Sequence, residues 1–243
     1  MSEQSRSEPP RLAFQPVFVI VSATVLFTVF WYFGRFAGYW QFLDGAFPAT
    51  ALSPLYPFAY FCVMSVVLRM LVPMALARFV LKRPLRDFGY GPAQGSKRVY
   101  LWLYLAMVPL VVLASYGSSF QAFYPQFRGV VSQGEVLWWH LLVFELVYGL
   151  LFVSGESFWR GYIVFGLHET LGDYAILVMM IPYVMSHYDK PFGETLGAVV
   201  AGSLLGWLAL RHRSFWPGVL VHWGVAITMD LCALWQNGIT VVY

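Results

Sequence analysis

Glu156 and Arg160 stand four residues apart in SGESFWRGYIVFG, residues 154–166, a run otherwise apolar enough to cross a lipid bilayer. Four residues is about one helical turn, so both side chains share a face, and a glutamate placed N-terminal to its cation is the favourable order for an ion pair. A charge in hydrocarbon costs on the order of 3 kcal/mol and pairing is the usual remedy, so the pair by itself has a purely structural explanation. Two histidines, His187 in IPYVMSHYDKPFGE and His222 in PGVLVHWGVAITMD, add chemistry from two other apolar runs. At ~1.5 Å per residue, Glu156 falls ~16 Å, His187 ~22 Å and His222 ~12 Å from the span ends assigned below to the cytoplasm, close to one level of the bilayer. A carboxylate and two imidazoles in a low-dielectric cavity can activate water, the carboxylate taking its proton while an imidazole donates to the developing oxyanion. The cavity is expected to open toward the cytoplasmic half of the bilayer. The same three side chains can instead hold zinc as a His/His/Glu site with an open fourth position, although without an HExxH motif the histidines would come from separate helices. Glu145, eleven residues before Glu156, extends the polar face of its helix and is expected to point into the bundle.

The elements that must position these groups are membrane spans. Of 243 residues, 59% are hydrophobic and only 11% charged, and the mean hydropathy is +0.65. Apolar runs fall near 13–34, 54–81, 99–116, 136–167, 172–188, 194–210 and 214–236, each too continuous for the alternating strands of an outer-membrane barrel. The expected fold is therefore all-α, one polytopic bundle of seven to eight transmembrane helices occupying residues 1–243. Residues 1–12 read as a short cytoplasmic tail and the run after them as a retained first span. Arg6, Arg11, the basic cluster over 79–98 and Arg211 with Arg213 alternate with loops holding only Arg35, Arg128 or Lys190, which puts the N-terminus in the cytoplasm. Basic residues between spans act as topology determinants, so the net charge of +3 implies no nucleic-acid partner. Cys62 and Cys232 lie within apolar runs and read as packing, while His168 and His212 at span ends read as solvated. Gly197, Gly202 and Gly206 give the sixth run a small-residue face suited to close helix contact.

The order GESFWRGY, YVMSH and HWGVA, each in its own span, resembles the CAAX protease and bacteriocin-processing (CPBP, or Abi) family of intramembrane proteases. That family carries EExxxR on one helix, FxxxH on the next and HxxxN on a later one. The resemblance covers 136–236, which is then the catalytic core, and it implies that Glu156 takes the place of the second glutamate, Arg160 the arginine, and His187 and His222 the two histidines, with Tyr183 in the phenylalanine position. It also implies a peptidase of the cell (inner) membrane that cleaves a membrane-associated protein or peptide within the lipid bilayer, with Glu156, His187 and His222 catalytic, Arg160 holding Glu156, and no cofactor expected, zinc on the first two histidines and Glu156 being the alternative.

Two positions depart from the family pattern. Gly155 stands where the first, water-activating glutamate is usual, and Ala226 where the asparagine is usual. Glu194 and Asp230 are the acids expected to complete the site by orienting the histidines or holding substrate. The competing expectations are a catalytically inactive membrane regulator or immunity protein that keeps the fold, and a proton-coupled transporter using the same glutamate and histidine chain.

Overall fold

The computed structural model describes residues 13–243, so the expected tail over 1–12 lies outside the described residues. Nine helices follow in order: α1 Phe14–Phe33, α2 Phe36–Phe42, α3 Ser53–Val80, α4 Arg98–Ser115, α5 Ser118–Phe123, α6 Trp138–Leu171, α7 Tyr174–Met185, α8 Phe192–His212 and α9 Trp216–Gln236. Six of them, α1, α3, α4, α6, α8 and α9, are long and apolar enough to cross a membrane. The protein is a multi-pass membrane protein built as an all-α helical bundle.

The expected seventh span over 172–188 is the exception. Its helix α7 has 12 residues, ~18 Å at ~1.5 Å per residue, against a hydrocarbon thickness of ~30 Å. It stops at Met185 because Ser186–Lys190 fold into tight turns, with His187 N bonded to Val184 O and Lys190 N to His187 O, before Pro191 opens α8. His187 consequently sits in a turn beyond a helix end, and its depth does not follow from helical rise.

Burial is sparse for the length of these helices, as expected when lipid rather than protein covers one side. Leu110, Leu113, Val200, Leu220 and Trp235 all point outward. Inside, one core gathers around Phe158, Trp159, Tyr162, Met179 and Tyr183, and a second around Phe58, Phe144, Tyr148, Phe152 and Phe215. The pairs α4 with α9, α3 with α6, and α7 with α8 pack most extensively, so α6 lies between the outer helix α3 and the pair α7 and α8 that carries His187. Gly202 and Gly206 of α8 make the last contact close: a methyl group on Gly202 would lie 2.8 Å from the Tyr183 ring. Two short strands, β1 Glu135–Leu137 and β2 Thr240–Val242, pair in parallel and tie the start of α6 to the end of the chain.

Two spans widen where polar side chains enter the bundle. Val67–Leu71 in α3 and Ser157–Phe165 in α6 are π-helical, the wider turn that is common at functional sites. Arg69 lies in the first, and the second begins one residue after Glu156.

Candidate active site

Glu156 is 1% exposed and Arg160 fully buried, and the two form the ion pair that their spacing predicts, Arg160 Nη1 donating to Glu156 Oε1 over 2.9 Å. The guanidinium is fixed from the other side as well. Its carbon lies 4.4 Å from the centre of the Tyr183 ring, a cation–π distance, and Nη2 lies 3.5 Å from the Gly202 carbonyl. Gly202 thus has two uses: without a side chain it admits the tyrosine ring that supports Arg160, and its backbone accepts from the same cation.

His222 of α9 completes a chain of contacts. Its Nδ1 is 3.0 Å from Glu156 Oε1, the oxygen that Arg160 also holds, while Glu156 Oε2 has no partner among the described residues. His187 Nδ1 is 2.9 Å from the Tyr183 carbonyl. An imidazole that donates through Nδ1 to an oxygen is held in the tautomer whose Nε2 is a lone-pair acceptor. Both histidines are therefore placed with Nε2 as the ring atom able to take a proton.

Glu156, His187 and His222 line one cavity, together with Gly155, Arg69, Trp159 and Tyr183. Its mouth differs from the expectation. The cavity reaches Arg35 after α1, Phe123 and Gln126 after α5, and Asp189 and Lys190 after α7, all at the end of the bundle opposite the basic loop over 82–97. The three-helix depth estimate misses this because His187 is not on a helix. Arg35 closes part of the mouth by pairing with Asp189 over 2.5 Å, beneath the Trp31 ring at 4.0 Å.

The remaining candidate acids are turned elsewhere. Glu194 accepts from Lys190 Nζ at 2.6 Å and from the Tyr124 hydroxyl at 2.9 Å, so its carboxylate is engaged away from His187 and from the Glu156–Arg160 pair. Burial, with Glu194 beside it, pushes the Tyr124 hydroxyl well above its ordinary pKa and keeps it a donor. Asp230 is 1% exposed, and neither of its oxygens has a partner among the described residues. Neither Glu194, Asp230 nor Glu145 lines the cavity, the last because eleven residues of α6 separate it from Glu156 and place it toward Trp223. His212 is buried against the Tyr100 ring at 5.3 Å, not solvated, since α8 ends inside the fold of the 82–97 loop where Gln94 N bonds its carbonyl. Ala226 is buried in the second core.

Zinc fits this donor set poorly. Glu156 spends Oε1 on the Nδ1 of His222, so the two face each other and not a shared centre, and among the described residues no group of three or more His, Cys, Asp and Glu side chains is gathered for a metal ion. One residue at the site was missed from sequence altogether. Arg69 lies in the middle of an apolar run, and that isolated intramembrane charge was the signal that would have found it.

Residues 127–228 match a family described as type II CAAX prenyl endopeptidase, Rce1-like, a match consistent with the CPBP family. The matched segment contains Glu156, Arg160, His187 and His222 and supports a CPBP-type intramembrane endopeptidase at the level of the family. Comparison with curated proteins and with solved structures gave no match.

Proposed function

We propose that the protein is an intramembrane endopeptidase in which His222, oriented by Glu156, activates the attacking water, with His187 holding the water or the oxyanion from the opposite side of the cavity. The observation that carries this is the 3.0 Å contact between His222 Nδ1 and Glu156 Oε1 in a cavity shared with His187. A carboxylate at Nδ1 fixes the tautomer and stabilises the imidazolium that forms when Nε2 takes a proton, the same division of labour as in hydrolytic triads. Glu156 then serves as the electrostatic partner of the base, and Arg160 keeps that carboxylate ionised and in place. The substrate is a membrane-associated peptide or protein, which enters from the lipid or through the mouth at Arg35 and Asp189. By the distribution of basic residues this mouth faces away from the cytoplasm.

The test is to reconstitute the protein in vesicles with a library of lipid-anchored peptides and read products by mass spectrometry. Glu156→Gln, His187→Ala and His222→Ala should each abolish the products while the protein remains in the membrane, because groups that act as a unit lose nearly everything when one is removed. Unchanged cleavage by the His222→Ala protein would reject its role.

A second reading, that of an inactive regulator, has one observation in its favour: the place of the missing acid at Gly155 is filled by Arg69, whose Nη2 lies 2.9 Å from where a Cβ on Gly155 would stand. An inert wild-type protein that gains cleavage on Gly155→Glu would establish that alternative.

A further inference from the structure

The charged side chains around the cavity are matched with one exception. Arg35 pairs with Asp189, Lys190 with Glu194, and Glu156 with Arg160 and His222, whereas no carboxylate lies within 4.0 Å of the Arg69 guanidinium among the described residues. Arg69 is 7% exposed. Its Nη1 donates to Ser65 Oγ over 3.2 Å, itself bonded to Ser154 Oγ at 2.6 Å, and its Nε has no partner. The aromatic rings of Phe30 and Trp159 lie 5.1 and 5.5 Å from its guanidinium carbon. Such rings attract a cation but do not neutralise it, and an unpaired guanidinium at membrane depth is expensive unless something completes it. Its Nη2 fills the space beside Gly155 that any other residue at 155 would claim, which puts the fork on the cavity wall next to Glu156.

A planar fork of N–H donors in an apolar setting matches a carboxylate, which it can grip through two parallel hydrogen bonds. We propose that the cavity binds a carboxylate-bearing ligand, its anionic end on Arg69 and its apolar body against Phe30, Phe58, Phe61, Phe152 and Trp159. Such a carboxylate comes from the free C-terminus of a peptide or from a fatty acid. The site does not depend on the peptidase assignment, because binding is measured without turnover.

The experiment uses the full-length protein in lipid nanodiscs and a labelled, N-acetylated apolar tetrapeptide, offered as the free acid and as the C-terminal amide. Binding is read on the wild type and on His222→Ala, so that cleavage of the probe does not enter. A hydrogen bond to a charged group contributes ~1.5–3 kcal/mol, so the acid should bind about 10- to 100-fold more tightly than the amide. Arg69→Gln should erase that preference and Arg69→Lys should retain part of it. Gly155→Glu is an independent route to the same end, since it places a carboxylate on the guanidinium from within and should abolish the preference with Arg69 still present. Equal binding of acid and amide by the wild type, or a preference that survives Arg69→Gln and Gly155→Glu, overturns the site. Decanoate as competitor separates the two sources: displacement of the peptide acid by decanoate at similar concentration assigns the pocket to fatty acids, and failure to displace assigns it to peptide C-termini, the Arg69 dependence supporting the site in either case.

Discussion

Replacing Arg160 by Gln removes one member of an ion pair whose two side chains are 0% and 1% exposed and 2.9 Å apart. Breaking a buried pair from one side leaves an uncompensated charge and costs ~3–5 kcal/mol. Here the loss should fall toward the lower end, because His222 Nδ1 remains on Glu156 Oε1 and can take up a proton in place of the lost cation. Glu156→Gln leaves the opposite orphan, a guanidinium facing the Tyr183 ring and a carbonyl 3.5 Å away, and should cost at least as much. The double variant carries two neutral amides one turn apart that hydrogen-bond each other, so it should lose less than either single variant, with a coupling energy of ~2 kcal/mol or more. At ~2–4 °C per kcal/mol for a protein of this size, the single variants should melt ~6–20 °C lower. The assay is thermal unfolding of purified protein followed by tryptophan fluorescence, at one detergent concentration and one heating rate because membrane-protein unfolding is commonly irreversible. Additive losses in the double variant would refute the pair as a mutually dependent unit. A double variant that is stable yet inactive would show the pair to be both structural support and site.

Glu194→Gln should leave turnover close to wild type, because the carboxylate is committed to Lys190 and Tyr124; a loss of about tenfold or more, the scale expected when support behind a functional residue is removed, would place Glu194 at the site after all. Gly202→Ala should destabilise the protein by ~1–3 kcal/mol in the same melting assay, since its new methyl group would stand 2.8 Å from the Tyr183 ring, and it should lower activity by shifting the ring that supports Arg160. Gly155→Glu should not raise cleavage in the vesicle assay, because the added carboxylate meets Arg69 before it meets water.

Composition and hydropathy alone determined that this is a polytopic helical membrane protein, because lipid leaves a chain no other way to satisfy its backbone than helices or a closed barrel, and the apolar runs are continuous. The Glu156–Arg160 contact was equally legible, being set by the pitch of one helix. What lies between helices was not. That His222 would meet Glu156, that Tyr183 would lie under Arg160 because Gly202 makes room, and that Glu194 would turn to Lys190 and Tyr124 are decided by how α6, α7, α8 and α9 pack, which no periodicity within one helix encodes. The depth of His187 escaped for a related reason: helical rise ceases to measure depth where α7 ends at Met185. The mouth of the cavity went with it, since turns after α1, α5 and α7, far apart in the chain, meet only in three dimensions. Arg69 shows the limit most plainly. Its charge is visible in the sequence, but its role rests on a void beside Gly155, and a void is a property of two packed helices and of neither one alone.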